Sequence, residues 1–172
     1  MEQHWRVRTH ISSAAVVLCL SLFLVTALPA SGQSTIRYLN AVSGNDTAEC
    51  LSDSPLPIQS CRTLRYALAG NGTSNSNLSL LIWPGTYVYG GTSTVVARPR
   101  NLLIQKMPGS DGEVIFQCIN YSEDQYNNLA IFGAENVTIK GITFERCGPF
   151  SSGIFMDDSR GILVSQCTFR CV

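Results

Sequence analysis

Two adjacent carboxylates, Asp157 and Asp158, followed by Ser159 and Arg160, are the residues of this chain best placed to do chemistry. Paired carboxylates can hold calcium through their oxygens. They can also divide acid and base work on a glycosidic bond. A plainer reading outweighs both. Neighbouring residues of a strand point to opposite faces, and Asp, Ser and Gly are what a tight turn between strands uses. The stretch is therefore expected to be a turn. Asp157 and Asp158 are kept only as candidate metal ligands, and no catalytic residue and no cofactor is assigned.

Composition removes other chemistries. Met1 to Gly32 has the layout of a secretory signal peptide: a basic start at Arg6 and Arg8, an apolar run from Ala14 to Leu28, and small residues Ala30-Ser31-Gly32 before Gln33. The run is short for a membrane span, which needs about 20 residues. Cleavage is expected rather than retention as an anchor, giving a secreted, extracellular product with no membrane segment. Both histidines, His4 and His10, leave with the signal. A Ser-His-Asp triad, a Cys-His pair and a histidine-ligated metal are then excluded within the cleaved chain. Beyond Gly32 there are 10 Arg or Lys and 11 Asp or Glu. This balance offers nothing to nucleic acid or to an acidic membrane.

Six of the seven cysteines lie beyond the signal, on an oxidising route where disulfides form. Cys50 and Cys61 bracket a loop with Pro55 and Pro57 and are read as one bridge. Cys118, Cys147 and Cys171 each follow a Phe of a common column (Phe116, Phe144, Phe169), so two of them can pair on neighbouring windings and leave the third over. Cys167 falls on an inward position and is expected to be a buried free thiol. Sequons at Asn45, Asn71, Asn77 and Asn120 mark expected glycan sites on surface loops. A fifth, at Asn136, shares a column with Asn101 at a turn, where stacked Asn side chains hydrogen-bond backbone instead.

The elements that position these residues come from a repeat. Asn136 to Phe144 overlies Gly161 to Phe169 at an offset of 25 residues, placing Val137, Ile139, Ile142 and Phe144 on Ile162, Val164, Cys167 and Phe169. Each line is two short alternating strands joined by a polar step. Asn101 to Ile104 and Val114 to Phe116 repeat the pattern earlier, with Met107 to Gly112 as an inserted turn. A third column runs through Leu129 to Phe132 and Gly153 to Met156. Strands at such a period, without helices, indicate an all-β solenoid, a right-handed parallel β-helix with three short strands per rung. The rungs occupy 79–172, with the first full rung at Asn101 and little more than two in all.

Residues 33–78 are read as an N-terminal strand (Ile36 to Val42), the disulfide loop and a short capping helix, Leu64 to Ala69, capped by Thr63. A solenoid end needs a cap with a polar face. The other end stops at Val172 just after a core Phe, so it is expected to be uncapped. It is taken either to continue into missing sequence or to pair with another chain. Trp83 is placed under the cap, with Tyr87 and Tyr89 partly exposed. Glu145 and Arg170 share one outward position, and Lys106 and Lys140 are read as solvated turn residues.

Gly44-Asn45-Asp46, the block Cys61 to Leu68, the turn Trp83-Pro84-Gly85-Thr86-Tyr87 and the stretch Asn136 to Phe144 together resemble the start of pectin-lyase-like right-handed parallel β-helix proteins. The resemblance covers nearly all of Ile36 to Val172. It implies the fold and a secreted or cell-surface setting; the family includes pectate lyases, polygalacturonases, adhesins and receptor-like proteins. The His-containing motif of the polygalacturonases is absent. Arg98-Pro99-Arg100 lacks the spacing of the R-x-P-x-x-R element of pectate lyases, so no catalytic role carries over. Two functions follow: a non-enzymatic extracellular module binding carbohydrate or protein, which is preferred, and the N-terminal part of a polysaccharide lyase or glycoside hydrolase whose catalytic rungs lie further on.

Overall fold

The computed structural model describes residues 34–69, 76–89, 94–118, 129–145 and 152–170. Expectations for Met1 to Gly32, Asn71, Asn120, Cys147 and Cys171, and for the side chains of Tyr89 and Cys118, lie outside the described residues. Within them run the strands β1 (Thr35–Leu39), β2 (Leu78–Ile82), β3 (Gly85–Tyr89), β4 (Thr94–Ala97), β5 (Arg100–Lys106), β6 (Val114–Cys118), β7 (Leu129–Phe132), β8 (Glu135–Lys140), β9 (Ile142–Glu145), β10 (Ile154–Asp157), β11 (Arg160–Ser165) and β12 (Thr168–Arg170). One short helix, α1 (Leu64–Ala69), and two 3-10 turns, Ala48–Leu51 and Pro57–Gln59, accompany them.

The strands form three sheets, β1-β2-β5-β8-β11, β3-β6-β9-β12 and β4-β7-β10. Every pairing between them is parallel. The architecture is thus mostly β, with successive strands visiting the three sheets in turn. The 25-residue offset is reproduced in register: Val137 lies opposite Ile162 and Phe144 opposite Phe169. Two expectations need correction. β2, β3 and β4 already make a complete set of three strands, so the first set begins at Leu78 and not at Asn101. Its Trp-Pro corner and its Tyr in place of Phe disguise the pattern. In the third column Ile154, not Gly153, faces Leu129. A one-residue slip changes the face of every side chain, and it makes Asp157 the last strand residue.

Inward positions stack into columns. Leu78, Leu102, Val137 and Ile162 form one; Leu80, Ile104, Ile139 and Val164 form the next. The first three residues of each are fully buried. Tyr87, Phe116, Phe144 and Phe169 form an aromatic column, with centroids 5.6, 5.6 and 5.1 Å apart. Gly153 is required beside it, since a Cβ there would sit 2.8 Å from the Phe144 Cβ. Exposure rises at the outermost strands. Ile154, Met156 and Ile162 are half-buried and Phe169 is 52% exposed, because β10, β11 and β12 are the last strands of their sheets.

The first residues are built onto this stack. β1 ends at Leu39, earlier than the expected Val42. There the Asn40 side-chain oxygen accepts from the Val42 and Ser43 N–H groups and turns the chain. Cys50 and Cys61 are disulfide-bonded, with Cα atoms 4.8 Å apart. Asp46 anchors the start of α1: one carboxylate oxygen accepts from the Arg62 and Thr63 N–H groups, the other from the Thr63 hydroxyl. Thr63 in turn caps α1 through the Tyr66 N–H. The apolar side of α1, Leu64, Ala67 and Leu68, is buried against β1 and β4. Arg37, only 8% exposed, donates to the Ala67 carbonyl oxygen and so ties β1 to the end of α1. Burial lowers its pKa, while the nearby Asp53 carboxylate acts the other way.

Candidate functional site

The corner that joins the third sheet to the first is the same three times over. Arg98-Pro99-Arg100, Gly133-Ala134-Glu135 and Asp158-Ser159-Arg160 stack on one another. Their first residues take left-handed φ angles of 50°, 60° and 46°. Backbone bonds hold the stack: Glu135 N–H to the Pro99 carbonyl at 2.9 Å, and Arg160 N–H to the Ala134 carbonyl at 2.9 Å. The Ser159 hydroxyl donates to the Asp157 carbonyl at 2.8 Å and accepts from the Ala134 N–H at 3.1 Å. Asp158 and Ser159 therefore make the turn, between Asp157 at the end of β10 and Arg160 at the start of β11. Only Asp158 of the two carboxylates borders the shallow groove that runs along these corners.

The groove is lined by Arg98, Arg100, Glu135, Asp158, Ser159 and Arg160. Glu135 takes an ion pair from the Arg100 Nε at 3.5 Å and another from Arg160. The two arginines are 68% and 79% exposed, so each pair contributes little, about 0–1 kcal/mol. Three guanidiniums against two carboxylates make the groove net cationic. That setting repels calcium and suits carboxylate or sulfate groups, which the guanidinium fork matches in shape.

Arg98 is the unusual member. A non-glycine residue in the left-handed region costs about 1–2 kcal/mol, and Gly stands at the equivalent corner position one set later. The strain is retained together with the side chain. Gly133 leaves room for it: a Cβ there would lie 3.2 Å from the Arg98 Cγ. Nothing in the sequence marks Arg98 as a corner residue, because φ is set by the strand pairing on either side of it. The arginine-rich turn was legible only as a failed match to a catalytic spacing.

The remaining candidates fall elsewhere. Cys50 and Cys61 lie near Asp46, but their sulfurs are bonded to each other and the Asp46 oxygens are taken by N–H and O–H donors. Cys167 is a free, half-buried thiol in the connection between β11 and β12 rather than a fully buried one. Asn45 is exposed beside the disulfide loop. Asn77 stands in a column of left-handed corners with Asn101, Asn136 and Gly161. Along it Asn101 donates to Asn77 at 2.9 Å, and Asn136 to Asn101 at 3.2 Å. The Asn136 amide thus bonds a neighbouring side chain, where backbone had been expected. Tyr87 is buried, contrary to its expected partial exposure, so it offers no stacking surface to a sugar. Arg170 pairs with Glu145 at 2.7 Å, as the shared position implied, and also with Glu113 at 3.1 Å. No family model, no curated protein and no solved structure matches this chain.

Proposed function

We propose that this chain is a secreted, non-enzymatic extracellular module of pectin-lyase-like, right-handed parallel β-helix type, which binds anionic groups of glycans or proteins through its arginine-rich corner. The single observation that carries the reading is Arg98, a strained residue whose side chain lines a concave, net cationic strip spanning three sets of strands. Strained backbone that persists is a mark of use. The handedness follows from the general rule that parallel crossover connections are right-handed. The signal-like leader and the disulfide support an oxidising, extracellular setting. Among the described residues nothing pairs with the outer edge of β10, β11 and β12, so it can take up a further strand from the same polypeptide or another.

The test uses the full chain and an Arg98→Gly variant, whose backbone suits Gly and which is expected to be at least as stable. Retention on a matrix bearing carboxylate or sulfate groups should weaken about tenfold in the variant. Pectin-type polymers supplied with calcium should yield no cleavage products. Turnover that disappears in Asp157→Ala or Asp158→Ala overturns the proposal in favour of a polysaccharide lyase or hydrolase. Unchanged retention by Arg98→Gly removes the corner as the binding surface.

A further inference from the structure

The inserted turn Met107 to Gly112 breaks the regularity of the stack at one place. Between β8 and β9 a single residue, Gly141, makes the same corner, and between β11 and β12 only Gln166 and Cys167 do. Insertions in repeated folds map to loops that often carry binding. This one is tied down at both ends. The Met107 N–H donates to the Ile82 carbonyl at 2.7 Å, and the Glu113 carbonyl accepts from the Gly85 N–H at 2.9 Å. Within it, the Ser110 hydroxyl donates to the Met107 carbonyl at 2.7 Å.

The insert overhangs a cleft of about 260 Å³ whose other walls are the ends of β5 and β8. Among its lining residues Gln105, Lys106, Lys140 and Gln166 carry side-chain donors, Gly141 lies between Lys140 and β9, and the Ser110 hydroxyl is committed to the Met107 carbonyl. Gly141 has φ 71°, and a Cβ there would lie 3.4 Å from the Lys106 Cβ, so any side chain would narrow the cleft. No Asp or Glu lines it. Neither lysine forms an ion pair with a described residue. Lys106 and Lys140 stand at the ends of the paired strands β5 and β8, so two like charges border one cleft, and an anion there offsets them.

The geometry points to this cleft as a second binding site, distinct from the arginine corner, for a compact tetrahedral oxyanion: a sulfate or phosphate ester. Lysine is a compact point charge with rotatable donors and suits such a group. The planar fork of arginine is the better match for a carboxylate. The Gln105 and Gln166 amides then face the ester oxygens or an adjoining hydroxyl. The volume lies below the range of about 300–1,000 Å³ typical of drug-sized ligands, so one charged group with at most one sugar ring fits.

The experiment titrates the full chain, at fixed ionic strength, with inorganic sulfate, inorganic phosphate, an O-sulfated monosaccharide and a uronate monosaccharide, read by amide chemical shifts. Sulfate, phosphate and the sulfated sugar should shift amides of Gln105 to Ser110 and Lys140 to Gly141, and the uronate should bind at least about tenfold more weakly. Lys106→Gln and Lys140→Gln should each weaken the sulfate affinity read at these amides about tenfold, while Arg65→Gln, on the exposed side of α1, should leave it unchanged. The relative affinity of the sulfated sugar and phosphate identifies the source of the ester. Equal binding at these cleft amides in the lysine variants overturns the proposal, as does equal binding of the uronate at the same amides. Sulfate-induced shifts at the amides of Arg98 and Arg100 with none at Gln105 to Ser110 assign the anion to the corner alone, which separates failure here from failure of the function proposed above.

Discussion

The Tyr87 hydroxyl has one proton and two carbonyl oxygens within hydrogen-bond reach, that of Trp83 at 2.7 Å and that of Leu39 at 3.1 Å. Its ring is 3% exposed in the aromatic column. Burial pushes the phenol well above its ordinary pKa near 10, and a weaker backbone contact at Ala41 acts the other way. The unfolded chain releases this proton at about pH 10, while the folded chain holds it. Below pH 10 both states carry the proton and the stability is present in full. Above pH 10 the unfolded state binds fewer protons, so stability falls by up to about 1.4 kcal/mol per pH unit. Denaturant unfolding between pH 9 and 11.5 should show this decline, and Tyr87→Phe should flatten it even though it loses the hydroxyl's hydrogen bonding. An identical slope in Tyr87→Phe would show that the phenol ionises freely while folded. The sequence marks Tyr87 only as the aromatic after a Trp-Pro-Gly turn. One of its acceptors belongs to β1, far earlier in the chain, so its burial was not legible locally.

Among the elements, the strands were the legible part and the corners were not. Alternation in Asn136 to Phe144 and Gly161 to Phe169 exposes two strand columns directly, because a half-buried strand must alternate. Leu78 to Ile82, Tyr87 to Tyr89 and Thr94 to Val96 were legible as strands, but not as a full set, because Trp83, Tyr87 and Thr94 replace the aliphatic and Phe residues of later sets. A corner has no periodicity to read, and its left-handed φ follows from the pairing of the strands it joins. Asn101 shows what such a corner contributes. It holds φ 53°, which Asn tolerates better than most residues, and it both donates to Asn77 and accepts from Asn136. Asn101→Ala loses both bonds and adds backbone strain, for an expected loss of about 2–3 kcal/mol. Asn101→Gly loses the same bonds without the strain, so it should be about 1 kcal/mol more stable than Asn101→Ala. Equal stabilities in urea unfolding would mean that the amide ladder, and not the left-handed backbone, sets the cost. Neither substitution creates or removes the groove at Arg98, so the corner's structural and binding roles are separable by experiment.

At the scale of the whole molecule the stack behaves as a series of neighbours, each set of strands covering the next. In such an array stability is the sum of what each layer contributes and what each interface adds. Phe144 has an aromatic neighbour on both sides, Phe116 at 5.6 Å and Phe169 at 5.1 Å, and is 1% exposed. Phe169 has Phe144 on one side and is 52% exposed. Removing a fully buried Phe costs about 3–5 kcal/mol, the transfer loss plus the cavity left behind. Phe144→Ala is therefore expected to lose about that amount, and Phe169→Ala about 1 kcal/mol, since a half-exposed ring returns little apolar area to water and leaves no closed void. Thermal and urea unfolding at low protein concentration measure both. If Phe169→Ala costs as much as Phe144→Ala, the outer edge of β12 is covered in solution. The concentration dependence of the parent's melting temperature then separates the two sources of cover. A rise with concentration assigns it to a second copy of the chain, and no rise assigns it to residues of the same polypeptide. A small Phe169 effect leaves that edge open, with its unpaired backbone groups free to accept a further strand.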